Sequence, residues 1–113
     1  MAIAPLNEFK SKCVNLTTTF EDIIEVPVSV ATIILDGRAT NITTSGVGIL
    51  SVKIIKSIDE SEGIVVPDME IPINDSLQFI EGKFVLEEGD RLLAKANSNN
   101  KLQLIVSYLE TSA

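Results

Sequence analysis

At 113 residues with 45% hydrophobic side chains, the chain has the length of one ordinary domain and enough apolar material to form a core without disulfides or metals. A net charge of −7 argues against a surface built to neutralise nucleic-acid phosphates, and the absence of His removes the commonest general base and metal ligand. Only 4% of residues are aromatic and there is no Trp, so Ile, Leu and Val must fill the core, and their β-branched members favour strands.

In chain order, Met1–Lys12 has no clean period and is interrupted by Pro5. It reads as an N-terminal arm or lead-in strand, placed at residues 1–11, ahead of a domain at residues 12–113. It lacks the basic start of a secretory signal, and no apolar run reaches membrane-spanning length, so an unprocessed, soluble chain is expected. Cys13 is alone, which leaves no intrachain disulfide, and a buried, inert thiol is expected there. A short strand over Cys13–Thr19 is followed by Phe20–Val26, where β-branched residues mix with three acids and end at Pro27. Because proline cannot donate to a ladder, that strand belongs at or near a sheet edge. Ser29–Thr43 is a long strand with both faces partly apolar, and Asp36-Gly37 supplies a bulge or kink.

After a turn at Thr44-Ser45-Gly46, Val47–Ile55 alternates cleanly, with Leu50, Val52 and Ile54 opposed to Ser51 and Lys53. This is the pattern of a central strand. Ser57–Gly63 holds three acids among Ser and Gly and reads as an exposed loop. Ile64–Val66 returns to the sheet, and the stretch between Pro67 and Pro72 is expected to follow an edge or cross between sheets. Asn74-Asp75 turns into Ser76–Ile80. Phe84 and Leu86 precede the Glu87–Asp90 turn, where Gly89 suits a positive φ. Arg91–Ala96 and Lys101–Leu109 then alternate with period two around an Asn97–Asn100 loop that reads as a hairpin. No helical period is sustained. The fold class is therefore all-β, an antiparallel two-sheet β-sandwich of jelly-roll type, with a core of Ile34 or its neighbour Ile33, Leu50, Val52, Ile54, Phe84, Leu92, Leu104 and Val106.

The search for chemistry returns little. Glu87, Glu88 and Asp90, like Asp59, Glu60 and Glu62, cluster in turns expected to be exposed, where carboxylates keep ordinary pKa values. Asp68, Glu70 and Asp75 lack EF-hand spacing. Gly46-Val47-Gly48 is not followed by a helix and is no phosphate cradle. Phe20, Phe79, Phe84 and Tyr108 are phased for the core rather than for a sugar-stacking platform. Neither cofactor nor metal is expected, and the chain reads as no enzyme.

The order of the punctuating residues carries a resemblance. Val26-Pro27 ends one strand, Asn41-Ile42-Thr43 lies near the end of a long one, and Gly48–Ile54 alternates. Ile71-Pro72 is followed by Ser76-Leu77, then by Leu86-Glu87-Glu88-Gly89-Asp90 and the closing Ser107-Tyr108-Leu109-Glu110. Across Thr18–Glu110 this succession resembles a group of small virion structural proteins of tailed bacteriophages. Each pair is ordinary turn chemistry, and only order and spacing are specific. Members of the group carry Gly or another small residue after the Ile-Pro pair, where this chain has Ile73-Asn74-Asp75, a departure that bears on the turn type rather than the architecture.

The resemblance implies a noncatalytic accessory part of the head, neck or tail, with no catalytic residues to carry over. It also implies virion localisation, solubility in the host cytoplasm before assembly, and other virion proteins as partners. Neither direct nucleic-acid nor membrane contact is expected. A homo-oligomer is expected, its contacts assigned to Ile3, Leu6 and Phe9, because the arm's apolar residues lack a period that would place them in one core, and to Phe20 and Ile24, because an exposed strand edge near Phe20–Val26 can accept another chain's strand. The competing reading is a tail- or fibre-associated jelly-roll module that binds a host glycan or receptor, and the low aromatic content counts against it.

Overall fold

In the computed structural model, which describes residues 7–112, eight strands form two four-stranded antiparallel sheets. They are β1 (Asn7–Asn15), β2 (Glu21–Glu25), β3 (Val30–Asn41), β4 (Gly48–Ile55), β5 (Glu62–Ile71), β6 (Ser76–Leu86), β7 (Arg91–Lys95) and β8 (Leu102–Ser112). Sheet I has the order β1-β8-β3-β6 and sheet II the order β2-β7-β4-β5. This interleaving is an eight-stranded jelly roll. Only β4 and β5 are consecutive strands paired with each other; every other connection passes from one sheet to the other.

That crossing corrects the reading of the C-terminal third. The strands were placed well, but β7 lies in sheet II between β2 and β4, whereas β8 lies in sheet I between β1 and β3. Asn97–Asn100 is therefore a bridge between sheets, not a hairpin. Its side chains do the bridging: Asn97 accepts from the Ile49 amide at 3.0 Å and donates to the Val47 carbonyl at 3.2 Å, and Asn99 accepts from the Thr18 amide at 3.2 Å.

The core lies between the sheets. Ile34, Leu50, Leu86, Leu92, Leu102, Leu104 and Val106 are wholly buried, and Val52 nearly so, while Ile54, Phe84, Phe79 and Tyr108 pack against them from the margins. The choice between Ile33 and Ile34 falls to Ile34. Period two alone cannot make it, because β3 slips register against both neighbours just after Ile34. A second slip follows Gly37, where an added Cβ would lie 2.8 Å from the Phe79 ring; glycine lets that ring close over the strand. Similarly, a bulge at Ile23 in β2 turns both Ile23 and Ile24 into the core.

Two further expectations need correction. Cys13 is exposed, because β1 pairs in unbroken register with β8 and Val14 takes the inward position beside it. Phe20 lies outside the core. Its ring sits against the ammonium groups of Lys53 and Lys95, 4.3 and 4.9 Å from its centroid, and forms part of the outer surface of sheet II.

Candidate interaction surfaces

Three surfaces stand out, and the first removes a candidate for chemistry. Where the β2–β3, β4–β5 and β6–β7 loops meet, Asp90 is 1% exposed rather than lying in an open turn. Its carboxylate accepts from the Ser57 amide at 2.9 Å, the Glu87 amide at 2.8 Å and the Lys56 ammonium at 2.5 Å. Burial alone would push this carboxyl up, but the Lys56 hydrogen bond and the two amides outweigh it and hold the pKa below the ordinary value. Gly89, at φ +81°, turns the chain into this arrangement, and its amide donates to the Val26 carbonyl at 3.0 Å. Asp90 thus fastens loops and is not free for acid–base work. Asp59, Glu60, Glu62, Glu87 and Glu88 are exposed. Among the described residues no group of three potential metal ligands comes together.

The second surface is a shallow groove of about 400 Å³ on the outside of sheet II, lined by Thr18, Ser51, Asp68, Glu70, Lys95 and Asn97. A bulge around Pro67 and Asp68, the latter at φ +50°, aims the Asp68 carboxylate back across the sheet to accept from the Ser51 hydroxyl. Phe20, under Lys53 and Lys95, continues this wall. Ile49 and Ala96 add apolar area between these polar groups, and the Phe20 ring is already engaged by two cations of the same chain.

The third surface is the outside of sheet I. Residues opposite each other in an antiparallel pair share a face. The registers Phe9↔Leu109, Leu109↔Ile33 and Ile33↔Val85 therefore form one apolar row across all four strands. Phe9 is 78% exposed and Val85 56%, with Ile33 and Leu109 half-buried between them. Two rows away, Ile105 pairs with Cys13, and both are exposed. Scattered surface hydrophobes are ordinary, and a continuous row is a candidate contact surface.

No family model matches this sequence, and no curated protein matches it. Solved structures do. A protein of Bacillus endospore appendages, from a family of disulfide-linked pili, superposes with a TM-score of 0.57 at 9% identity, over 96% of this chain and 88% of that one. A chain of the T13 viral particle of IBDV gives 0.56 at 8% identity, again over 96% of this chain but only 31% of its own length. A pentameric capsid protein isolated from metagenomic phage sequences is a more distant likeness, at 0.44 and 14% identity over 90% of this chain and 60% of that one, and adds nothing to the fold assignment. What the first two share with this chain is the fold.

Against this geometry the expected contact residues divide. Ile3 and Leu6 lie outside the described residues. Phe9 opens to solvent at the edge of the apolar row, and Phe20 is half-buried beneath its lysines. Ile24 is 5% exposed and belongs to the core, so it offers a partner nothing; the Ile23 bulge, invisible to a period count, is the reason. The rest of the row, Ile33, Val85 and Leu109, was missed. The available signal was the doubling of large apolar residues at Ile33-Ile34 and Phe84-Val85, since a strand with one buried face does not need both.

Proposed function

We propose that the chain is a noncatalytic structural subunit of a tailed-phage virion, a repeated accessory part of the head, neck or tail held by protein–protein contacts with its own copies and with other virion proteins. The observation that carries this reading is the apolar row Phe9–Leu109–Ile33–Val85, which the single chain leaves uncovered while the buried Asp90 carboxylate serves the loops and the buried Glu110 carboxylate holds Lys10. The order of motifs from Val26-Pro27 to Ser107–Glu110 supports the phage assignment. The solved structures of the same fold that belong to a pilus and a viral particle support a building-block role. Each copy contributes a modest contact, and repetition makes the array durable. Residues 1–6, with Ile3 and Leu6, add a second contact to a neighbouring copy.

The test is sedimentation velocity across a concentration series. The parent chain is expected to associate, Phe9→Ser with Val85→Ser to lower that association, and a chain beginning at Asn7, which keeps β1 whole, to fold and associate less. A chain that remains monomeric up to its solubility limit and fails to join purified phage particles would defeat the reading.

A further inference from the structure

A jelly roll has four sheet edges, and unpaired edges invite strand addition unless something blocks them. Three edges here are blocked. β2 has five residues, a bulge at Ile23, and Pro27 just beyond it. β5 contains Pro67, two register slips and Asp68 at positive φ. β6 is broken opposite the β3 bulges, with Gly82 at φ +80°. β1 differs: it runs in unbroken register from Asn7 to Asn15, with no proline and no positive φ, and among the described residues it has a strand neighbour on one side only.

Its side chains specify what can be added. The inner face of β1 carries Glu8, Lys10, Lys12 and Val14, since these residues lie opposite Glu110, Tyr108, Val106 and Leu104. Inward lysines on an edge normally discourage pairing. Here both are held by their own chain, Lys10 by Glu110 and Lys12 by the Ile23 carbonyl at 3.0 Å. Their fixed charges therefore select a register instead of closing the edge. For a second copy added antiparallel about a two-fold axis, centring on Ser11 sets Lys10 against Lys12 twice, and centring on Lys10 sets Glu8 against Lys12 twice but places lysine against lysine at the axis and Phe9 against Ser11. Centring on Phe9 sets Glu8 of each copy against Lys10 of the other, with Phe9 facing Phe9 and Asn7 facing Ser11. That register also continues the apolar row of one sheet I into that of the next and covers the most exposed aromatic ring of the described chain.

We infer that β1 is the site of self-association, with β1 of a second copy pairing antiparallel about Phe9 so that two copies of sheet I become one eight-stranded sheet. This rests on the reading of the chain as a self-assembling subunit and names the partner and register of one of its contacts. The pairing is isologous and so closes on itself. Over Asn7–Ser11 it is short, and it joins copies that other contacts hold near one another.

The experiment is site-directed oxidative crosslinking in a Cys13→Ser background, which the exposure of Cys13 allows. Directly opposite residues in an antiparallel pair have Cα atoms about 4.5–5.5 Å apart, within disulfide reach. Phe9→Cys is expected to crosslink to its own kind. Ser11→Cys alone, whose copies would lie about 13 Å apart at strand rise, is expected not to. Ser11→Cys mixed with Asn7→Cys is expected to crosslink. Separately, Glu8→Lys, which leaves the Lys10–Glu110 pair in place while removing the exposed 3.6 Å pair between Glu8 and Lys10 of the same chain, is expected to weaken association about tenfold by turning two attractive contacts between copies repulsive. An associating parent chain whose crosslinking ignores these positions, or whose association Glu8→Lys leaves unchanged, would overturn the β1 pairing while sparing the assembly reading. A parent chain that is monomeric at every concentration would overturn both.

Discussion

On sheet I the outer ends of Phe9 and Val85 stand in solvent, joined by Ile33 and Leu109 into a row that spans four strands. On sheet II the comparable outward residues are covered from within the chain. Leu93 is only 7% exposed although its register with Lys53 and Asp22 places it on the outer face, and Phe20 lies beneath the ammonium groups of Lys53 and Lys95. On the β5 edge Ile64, 64% exposed, and Met69, 45%, are exceptions in that sheet. Both sheets offer similar aliphatic inner faces to the core, so the asymmetry is confined to the outside. An outer face whose apolar atoms lie under lysine stems is finished in the monomer. One whose apolar residues form an open row is left unfinished in the monomer.

The comparison requires first that the inner faces be equivalent. Leu104→Ala in sheet I and Leu92→Ala in sheet II remove wholly buried side chains, and each should cost about 2–5 kcal/mol in urea unfolding. A loss below about half a kcal/mol at either position, the level of an ordinary surface change, would mean that the sheet faces are wrongly assigned.

The next effect separates buried charge from surface charge. Asp90→Asn keeps the shape but presents an amide where three donors converge, and about 1–3 kcal/mol should be lost. Because the folded pKa of Asp90 lies below its unfolded value near 3.8, the unfolded chain binds the extra proton. The contribution of Asp90 is therefore full above the unfolded pKa and disappears as pH falls through the lower folded one. The gap between the thermal midpoints of the parent and Asp90→Asn, measured from pH 7 downward, should begin to narrow as pH falls below the unfolded value near 3.8. A constant gap between them would show that the carboxylate's charge is not what matters.

These two experiments also mark what was legible in the sequence. Alternation placed Leu104, Val52 and Leu92 on the inner faces, Pro27 put β2 at an edge, and the turns at Gly46, Asn74 and Gly89 fell where the backbone takes positive φ. The assignment of strands to sheets was not legible, because period two describes a strand's two faces and is silent about its neighbours; β7 and β8 alternate equally well whether or not they pair with each other. Asp90 was hidden for a related reason. A turn acid looks the same in sequence whether it is solvated or clasped by Ser57 and Lys56, which lie more than thirty positions away. The bulges that bury Ile24 and aim Asp68 depend on register against a partner strand, and no local pattern contains that.

The smallest effect on stability is the most direct test of the two outer faces. Phe20→Ala removes a ring that two lysines cover, so it should cost about 1 kcal/mol of monomer stability and leave association unchanged. Phe9→Ala removes a ring that is mostly in water, so monomer stability should move by less than about half a kcal/mol while association falls. The two substitutions are chemically identical, and only the cover over the ring differs. Paired urea melts at low concentration and sedimentation at high concentration would distinguish them. If Phe9→Ala destabilised the monomer as much as Phe20→Ala and left association intact, the row on sheet I would be an ordinary part of the fold, and the outer face of sheet II would become the place to look for a partner.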